Sequence, residues 1–445
     1  MFSDFPSDFV NRLSQDDFLG GEKLLFALNT ISPVSIRRNS LKNLAELSVK
    51  SKVEWCENAY YLTERPPFIK DPMFHAGTYY PQEAGSMFLD IVLRQLDLPE
   101  EPRVLDLCAS PGGKSTLLAS WMQGKGLLVS NEVIHARSKV LKENMTKWGV
   151  SNSVVTSNDP ADFDRLSNYF DLIVVDAPCS GEGMFRKDKE ARKEWSIDNV
   201  QLCAARQKRI VMDVWDALQP GGYLVYSTCT FNSDENEKNV EWFMQETNAF
   251  LVAIETVDLK KGRNDIGFYA LPSEVETEGF YIAVLQKPGE PKQRKLTFKK
   301  KADLVNYSSE KLKDYYISNH NSVVQWKEFL FSVPKVFLED IHFIYSNLHT
   351  IKLGTEIGEV THKGWNPKEG LALNPSIQNP SISKIELTLE QALSYLHGDT
   401  FTLEGKQGYN LMTYQNEPLG WIKHLGNRFN NLYPKEWRIK MRLDR

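Results

Sequence analysis

The chain has 445 residues, 41% of them hydrophobic and 25% charged, with 53 Lys and Arg against 58 Asp and Glu and a net charge of −5. This composition excludes large-scale disorder, and the slight acidity excludes a surface that is basic throughout, so any nucleic-acid surface has to be a local patch. The length calls for more than one domain.

Five cysteines, at 56, 108, 179, 203 and 229, form an odd, scattered set without a C-x-x-C pair, which argues against a disulfide framework and against a zinc site. Reduced thiols and no metal are expected. No apolar run approaches the roughly 18 residues of a membrane span, and the first residues, with Asp4, Pro6 and Asp8, lack the basic and then apolar layout of a signal peptide. A cytoplasmic location and no membrane partner follow as expectations. Nothing in the sequence points to an oligomeric state.

Residues 1–98 read as an α+β N-terminal domain: helical patterns, then a turn-rich stretch containing Arg37, Arg38, Lys42, Pro66, Pro67 and Pro72, with aromatics read as local core. The stretch Tyr79 to Phe88 reads as a helix leading into the next domain. A proline-bearing connection from Leu96 to Pro102 marks the boundary, and a second domain is placed at 99–288.

From Arg103 to Lys287 the pattern alternates strand and helix. Strands are predicted over 104–108, 127–132, 154–158, 172–176, 223–227 and 280–285, and helices over 136–148, 199–218 and 235–246. That rhythm predicts an α/β, doubly wound, mostly parallel sheet of the Rossmann type. The first strand runs into Cys108, Ala109, Ser110, Pro111, Gly112, Gly113 and Lys114, a glycine turn before an apolar helix, where a ligand reaches the backbone and the helix N-terminus. Gly113-Lys114-Ser115 could end a P-loop, but that motif requires glycine where this chain has Cys108, so ATP hydrolysis is the weaker option. Glu132, closing the second strand, stands where a nucleoside ligand wants a carboxylate for its ribose, and Asp159 after the third is read either as a contact to the adenine edge or as a turn cap.

Two later strand ends carry thiols to the same edge. Asp176-Ala-Pro-Cys179 delivers Asp176 and Cys179, and Ser227-Thr-Cys229 delivers Cys229, whereas Cys56 and Cys203 read as small buried hydrophobes. Cys229 precedes Asn232-Ser-Asp-Glu235, a predicted helix start whose dipole would favour thiolate.

Residues 289–375 comprise a basic linker, Lys287 to Lys301, read equally as a solvated tether or a nucleic-acid contact, and a mixed segment from Asp303 with no assigned fold. Residues 376–445 read as a small β-rich module. Its closing stretch from Gly420 to Arg438, followed by Lys440, Arg442 and Arg445, interleaves rings with cations as an RNA surface does, although an ordinary small barrel would hold its Trp residues in the core.

Taken together, Asp106-Leu-Cys-Ala-Ser-Pro-Gly-Gly-Lys114, Asp176-Ala-Pro-Cys179 and Ser227-Thr-Cys229 resemble three signature motifs of the Nol/Nop/Sun family of RNA 5-methylcytosine methyltransferases. The tail resembles the PUA-like extension of the bacterial RsmF-type ribosomal RNA enzymes. The resemblance implies S-adenosyl-L-methionine held by Cys108 to Lys114, Glu132, Asp159 and Asp176. It implies Cys229 as nucleophile, Cys179 as base and Asp176 as a catalytic partner on the base. RNA is the implied partner, most of all 16S ribosomal RNA or the small subunit, with 1–98 as an RNA-binding entrance domain and 376–445 as a PUA-like RNA-binding domain. Ser110 stands where the family more often has alanine. The alternatives are a methyltransferase acting on tRNA and a non-catalytic ribosome-assembly factor. An amino-group methyltransferase would instead carry a polar-Pro-Pro-aromatic turn in place of Asp176 to Cys179.

Overall fold

The computed structural model describes residues 4–43, 46–256, 259–299, 304–308, 312, 317, 320–362, 364–377 and 381–442. Lys300, Lys301, Asp303 and Arg445, which the sequence reading names, lie outside them.

The ten-stranded central sheet comprises β1 (Arg103–Asp106), β2 (Leu127–Asn131), β3 (Ser153–Thr156), β4 (Phe170–Asp176), β5 (Leu218–Thr228), β6 (Phe268–Ala270), β7 (Phe280–Gln286) and β8 (Thr350–Leu353), with the short strands Phe250–Leu251 and Lys260–Lys261 added beside β7 and β6. Their spatial order is β6-β7-β5-β4-β1-β2-β3-β8. The inner strands β3, β2, β1, β4 and β5 run parallel, whereas β7 and β8 are antiparallel to their neighbours. A parallel strand covered on both faces must be apolar at consecutive positions, and successive side chains then enter opposite cores. Leu105, Val129, Ile173, Val175 and Leu224 pack on one face, and Val104, Leu128, Leu172, Val174 and Val225 on the other. Helices α1 (Gly113–Met122), α2 (His135–Trp148), α3 (Ile197–Trp215) and α4 (Glu237–Thr247) cover the sheet. The Rossmann-type expectation holds.

Three elements differ from the sequence reading, among them the helix predicted over 199–218, which spans Ile197–Trp215 while Leu218 opens β5. Tyr79–Pro81 is a strand, not part of a helix: it pairs antiparallel with Ser35–Arg38 in a four-stranded N-terminal sheet and is followed by a 3-10 turn over Gly85–Phe88. Pro81 has no N–H for a helix, and adjacent tyrosines fit a pleated surface. The helix start expected at Glu235 falls at Glu237. Asn236 is drawn out of helical geometry by its side chain, which accepts from Thr228 Oγ1 at 2.6 Å and donates to Thr230 O at 2.9 Å.

The stretch without a predicted fold supplies β8, the helix Leu338–Asn347 and all of a five-stranded antiparallel sheet running from Val305 to Pro367. It is bound to the central domain. Asp340 accepts from Arg103 Nε at 3.0 Å and Tyr169 Oη at 2.8 Å, and Ile341, Phe343 and Ile344 enter the same core as Leu105. The basic linker is also partly tied down: Lys287 Nζ donates to Trp215 O at 3.0 Å and Leu218 O at 2.8 Å, and Arg294 Nε donates to Tyr169 O at 2.9 Å. Those two cations are used internally.

The last module has four strands, Lys384–Glu386, Gly408–Tyr414, Glu417–His424 and Phe429–Asn431, with the helix Leu389–His397 against them. Trp421 is buried and donates its indole N–H to Lys368 O at 3.0 Å, so that ring is core. Lys423, Arg428, Lys440 and Arg442 are exposed. The module touches the N-terminal domain through Asn43 N, which donates to Glu417 Oε1 at 2.8 Å. Among the described residues no helix is long and apolar enough to cross a membrane.

Candidate active site

Parallel strands end on a common edge, and here β1, β2, β4 and β5 each deliver one part of a site. Beyond β1, Leu107 N bonds Val174 O at 3.0 Å and Ala109 N bonds Asn131 O at 2.9 Å, after which the chain leaves the sheet. Gly112, at φ +118°, makes the turn that L side chains rarely adopt, and α1 begins at the next residue. The backbone of the turn is held from α2. Arg137 Nη2 donates to Ser110 O at 2.9 Å, Ser110 Oγ to Arg137 O at 3.0 Å, and Asn144 Nδ2 to Pro111 O at 2.7 Å.

Lys114 is buried, with its ammonium 2.7 Å from Asp176 Oδ2 and 4.9 Å from the centre of the Phe280 ring. Asp176 also accepts from Ser227 Oγ at 2.9 Å, so one carboxylate joins the glycine turn to the ends of β4 and β5. Glu132 is buried at the end of β2, where Oε1 accepts from Ile134 N at 2.9 Å and Oε2 lies 3.5 Å from Arg137 Nη2. Asp159 follows β3. Its Oδ1 accepts from Ala161 N at 3.1 Å, the capping use, and its Oδ2 lies 3.7 Å from Arg209.

Cys179 and Cys229 meet, with their sulfurs 3.1 Å apart and both residues half-buried. The hydrogen bond to the Cys229 sulfur and burial push the Cys179 thiol well above the usual range, so this thiol keeps its proton. Cys108 is held protonated by burial and by the nearby carboxylates of Asp106, Asp176 and Glu132, which leaves it no role as a nucleophile. Cys56 and Cys203 are buried, as expected. The helix whose dipole was expected to favour a Cys229 thiolate, α4, starts at Glu237, two residues later than expected.

Three residues were missed by the sequence reading. Asp106, fully buried at the end of β1, accepts from Ser115 Oγ at 2.6 Å through Oδ2, while its Oδ1 has no hydrogen-bond partner. Burial pushes its carboxyl up to about 7. A buried carboxylate oxygen left open beside a glycine turn fits a ligand that brings a cationic nitrogen, and an acid in that position was a signal available in the motif itself. Arg37, from the N-terminal sheet, lies 4.6 Å over the Trp148 ring and donates to Gln82 Oε1 at 3.1 Å and to Gly113 O, Thr116 O and Ser120 Oγ, each at 3.3 Å. It braces the first turns of α1. Glu235, buried behind the thiols, accepts from Ser180 N at 2.9 Å, and no local pattern announces it.

Comparison with known proteins divides the chain in three. A family model for the N-terminal domain of 16S rRNA methyltransferase RsmF matches residues 5–84, one for 16S rRNA methyltransferase RsmB/F matches 93–286, and one for the methyltransferase RsmF PUA domain matches 382–439. The ribosomal RNA small subunit methyltransferase F of Shewanella piezotolerans is 30% identical, with 97% of each chain covered. The protein of the same name from Shigella boydii is 31% identical over 97% of this chain and 96% of its own. Among solved structures, a methyltransferase homolog protein from Pyrococcus horikoshii is 27% identical with a TM-score of 0.54, covering 63% of this chain and 98% of that one. With relatives matched from end to end and all three domain models in register, the chain belongs to the ribosomal RNA small subunit methyltransferase F family.

Proposed function

We propose that the protein methylates carbon 5 of a cytosine in 16S ribosomal RNA, with Cys229 as nucleophile and Cys179 as base. The observation that carries this reading is the pair of sulfurs 3.1 Å apart, next to the Lys114–Asp176 ion pair. S-adenosyl-L-methionine supplies an electrophilic methyl group on a sulfonium. The open Asp106 oxygen fits its ammonium, and the turn from Cys108 to Lys114 with Glu132, Asp159 and Asp176 forms the rest of its cradle.

Carbon 5 of cytosine is a weak nucleophile. The Cys229 thiolate forms a bond to carbon 6, and the displaced electron pair makes carbon 5 nucleophilic. Asp176 hydrogen-bonds the base and favours that shift. After carbon 5 has gained its methyl group, the Cys179 thiolate takes the remaining proton from it. The electrons of that C–H bond restore the 5,6 double bond and break the Cys229–carbon 6 bond, which returns the first thiolate.

Two neighbouring sulfurs hold a single negative charge, because a second one would sit against the first. While Cys229 carries the charge, Cys179 keeps its proton, in keeping with its raised pKa. Once Cys229 is bonded to the base its charge is gone, and Cys179 gives up its proton to solvent to become the thiolate that acts as base. A paired target cytosine has to be flipped out to reach this edge. The N-terminal domain and the exposed cations of the last module provide the RNA surface, and the cytoplasm, where ribosomes are assembled, is the corresponding location.

Bisulfite sequencing of ribosomal and transfer RNA from cells with and without the gene tests the reading. One or more 16S cytosines should lose protection in the deletion strain. Loss of protection only in transfer RNA would move the substrate, and no loss at any cytosine would leave a non-catalytic assembly role.

A further inference from the structure

The ladder between β4 and β5 ends before the thiols do. Asp176 is in register with Ser227, and Ala177 N donates to Ser227 O at 2.8 Å; Cys179 and Cys229 lie beyond, on loops that no sheet bond aligns. Two buried carboxylates running in opposite directions join those loops. Glu235, on the Cys229 loop, accepts from Ser180 N at 2.9 Å and Gln207 Nε2 at 2.8 Å through Oε2, and from Ser180 Oγ at 2.5 Å through Oε1. Glu182, on the Cys179 loop, accepts from Phe231 N at 3.1 Å through Oε2, and from Trp195 Nε1 at 3.0 Å and Arg12 Nη2 at 2.6 Å through Oε1. Both side chains are fully buried.

Stability alone does not call for such an arrangement, because apolar side chains of similar size fill a core without the cost of desolvating carboxylates. What the carboxylates do is fix spacing. Glu235 takes both donors of Ser180, the residue next to Cys179. The Cys229 side has a separate tie in Asn236, which bonds Thr228 Oγ1 at 2.6 Å and Thr230 O at 2.9 Å on either side of the thiol. Ser180 Oγ also lies 3.0 Å from Thr230 Oγ1 and Gly183 N donates to Cys229 O at 2.8 Å, so removing Glu235 loosens Cys179 without freeing its loop and leaves Cys229 held.

We propose that Glu235 is a positioning residue for the second half of the reaction: by gripping Ser180 it keeps the Cys179 sulfur within reach of the carbon 5 proton while the base is bonded to Cys229. The proposal rests on the two-thiol reading above and adds a residue that touches neither base nor cofactor.

The test uses the full chain, S-adenosyl-L-methionine and a 16S RNA transcript, with turnover and the covalent protein–RNA species on a denaturing gel as paired readouts. Glu235→Ala should lower turnover by about tenfold to a hundredfold, the range set by misplacing a reacting group by roughly an ångström. It should also accumulate the covalent species, as Cys179→Ala does. Glu235→Gln, whose amide oxygen still accepts from Ser180 N, should restore turnover and clear the adduct. Were Glu235→Ala to melt well below the parent, Ser180→Ala and Thr230→Val are read in its place, with a smaller adduct expected. Loss of turnover without adduct in a folded variant, parental turnover in Glu235→Ala, or no rescue by Gln overturns the proposal. If Cys179→Ala itself gives no adduct, the assignment of the thiols fails, and that result is separate from any result at Glu235.

Discussion

At the scale of single residues, the assignment of the two thiols makes asymmetric predictions. Cys229→Ala should abolish methyl transfer, because no bond to carbon 6 forms. Cys179→Ala should permit attack and methylation and then stall, leaving RNA attached to Cys229 on a denaturing gel, and the double variant should lose the adduct again. An adduct in Cys229→Ala, or parental turnover in Cys179→Ala, would reverse or remove the roles. Asp106 makes a prediction in pH. Its folded pKa of about 7 lies above the ordinary 3.8, so the unliganded protein loses stability as pH rises between those values, and the loss is complete above about 7. Binding of the cationic cofactor gains in the same direction. Calorimetry should show S-adenosyl-L-methionine affinity rising from about pH 6 to about pH 8, with Asp106→Asn weaker and flatter; an equal slope in the variant would remove Asp106 from the site. The thiols, Asp176 and the glycine turn were legible because each directly follows a strand that its apolar run reveals. Arg37 and Glu235 were not, since the first finds its partner Thr116 across 79 residues and the second finds Ser180 across 55, and no local pattern encodes such a meeting.

At the scale of elements, reading failed where a side chain or a proline overrides periodicity. Pro81 turned an expected helix into an edge strand, and the tertiary bonds of Asn236 delayed α4 by two residues past the predicted start at Glu235. The inner parallel strands, by contrast, were found because burial on both faces demands continuous apolar sequence. The brace between the N-terminal sheet and α1 belongs to this scale. Arg37 is buried so completely that its pKa falls to about 10, yet it donates to three residues of α1 and to Gln82 just beyond the strand Tyr79–Pro81, and stacks on Trp148 of α2. Arg37→Ala leaves those acceptors unpaired around a cavity, and urea unfolding should show a loss of about 3 kcal/mol or more. Arg37→Lys keeps the charge without the planar fork and should recover only part of it. A loss below about 0.5 kcal/mol, the usual effect of a surface change, would mean that the brace contributes little.

At the scale of the whole molecule, the stretch that looks in sequence like a tether and an unassigned segment is built into the catalytic domain by β8 and by Asp340. Cutting the chain after Pro288 would bare the edge of β3 and the apolar residues beneath it, and the fragment should aggregate. The RNA surface proposed for the last module is better tested by Arg428→Ala and Lys440→Ala in the intact chain. Each should weaken binding to 16S RNA and reduce the salt dependence of binding by about one phosphate contact, with cofactor affinity unchanged. Unchanged RNA affinity in the double variant would place that surface elsewhere. The seating of β8 also reaches into how the protein is made. Ser153 and its partner Lys352 are 199 residues apart, so at roughly 5–20 residues per second a ribosome needs about 10–40 s after making β3 to deliver the strand that covers it. Until that strand arrives the outer edge of β3 has no partner, so the border of the sheet is closed by one of the last parts of the catalytic domain to be made.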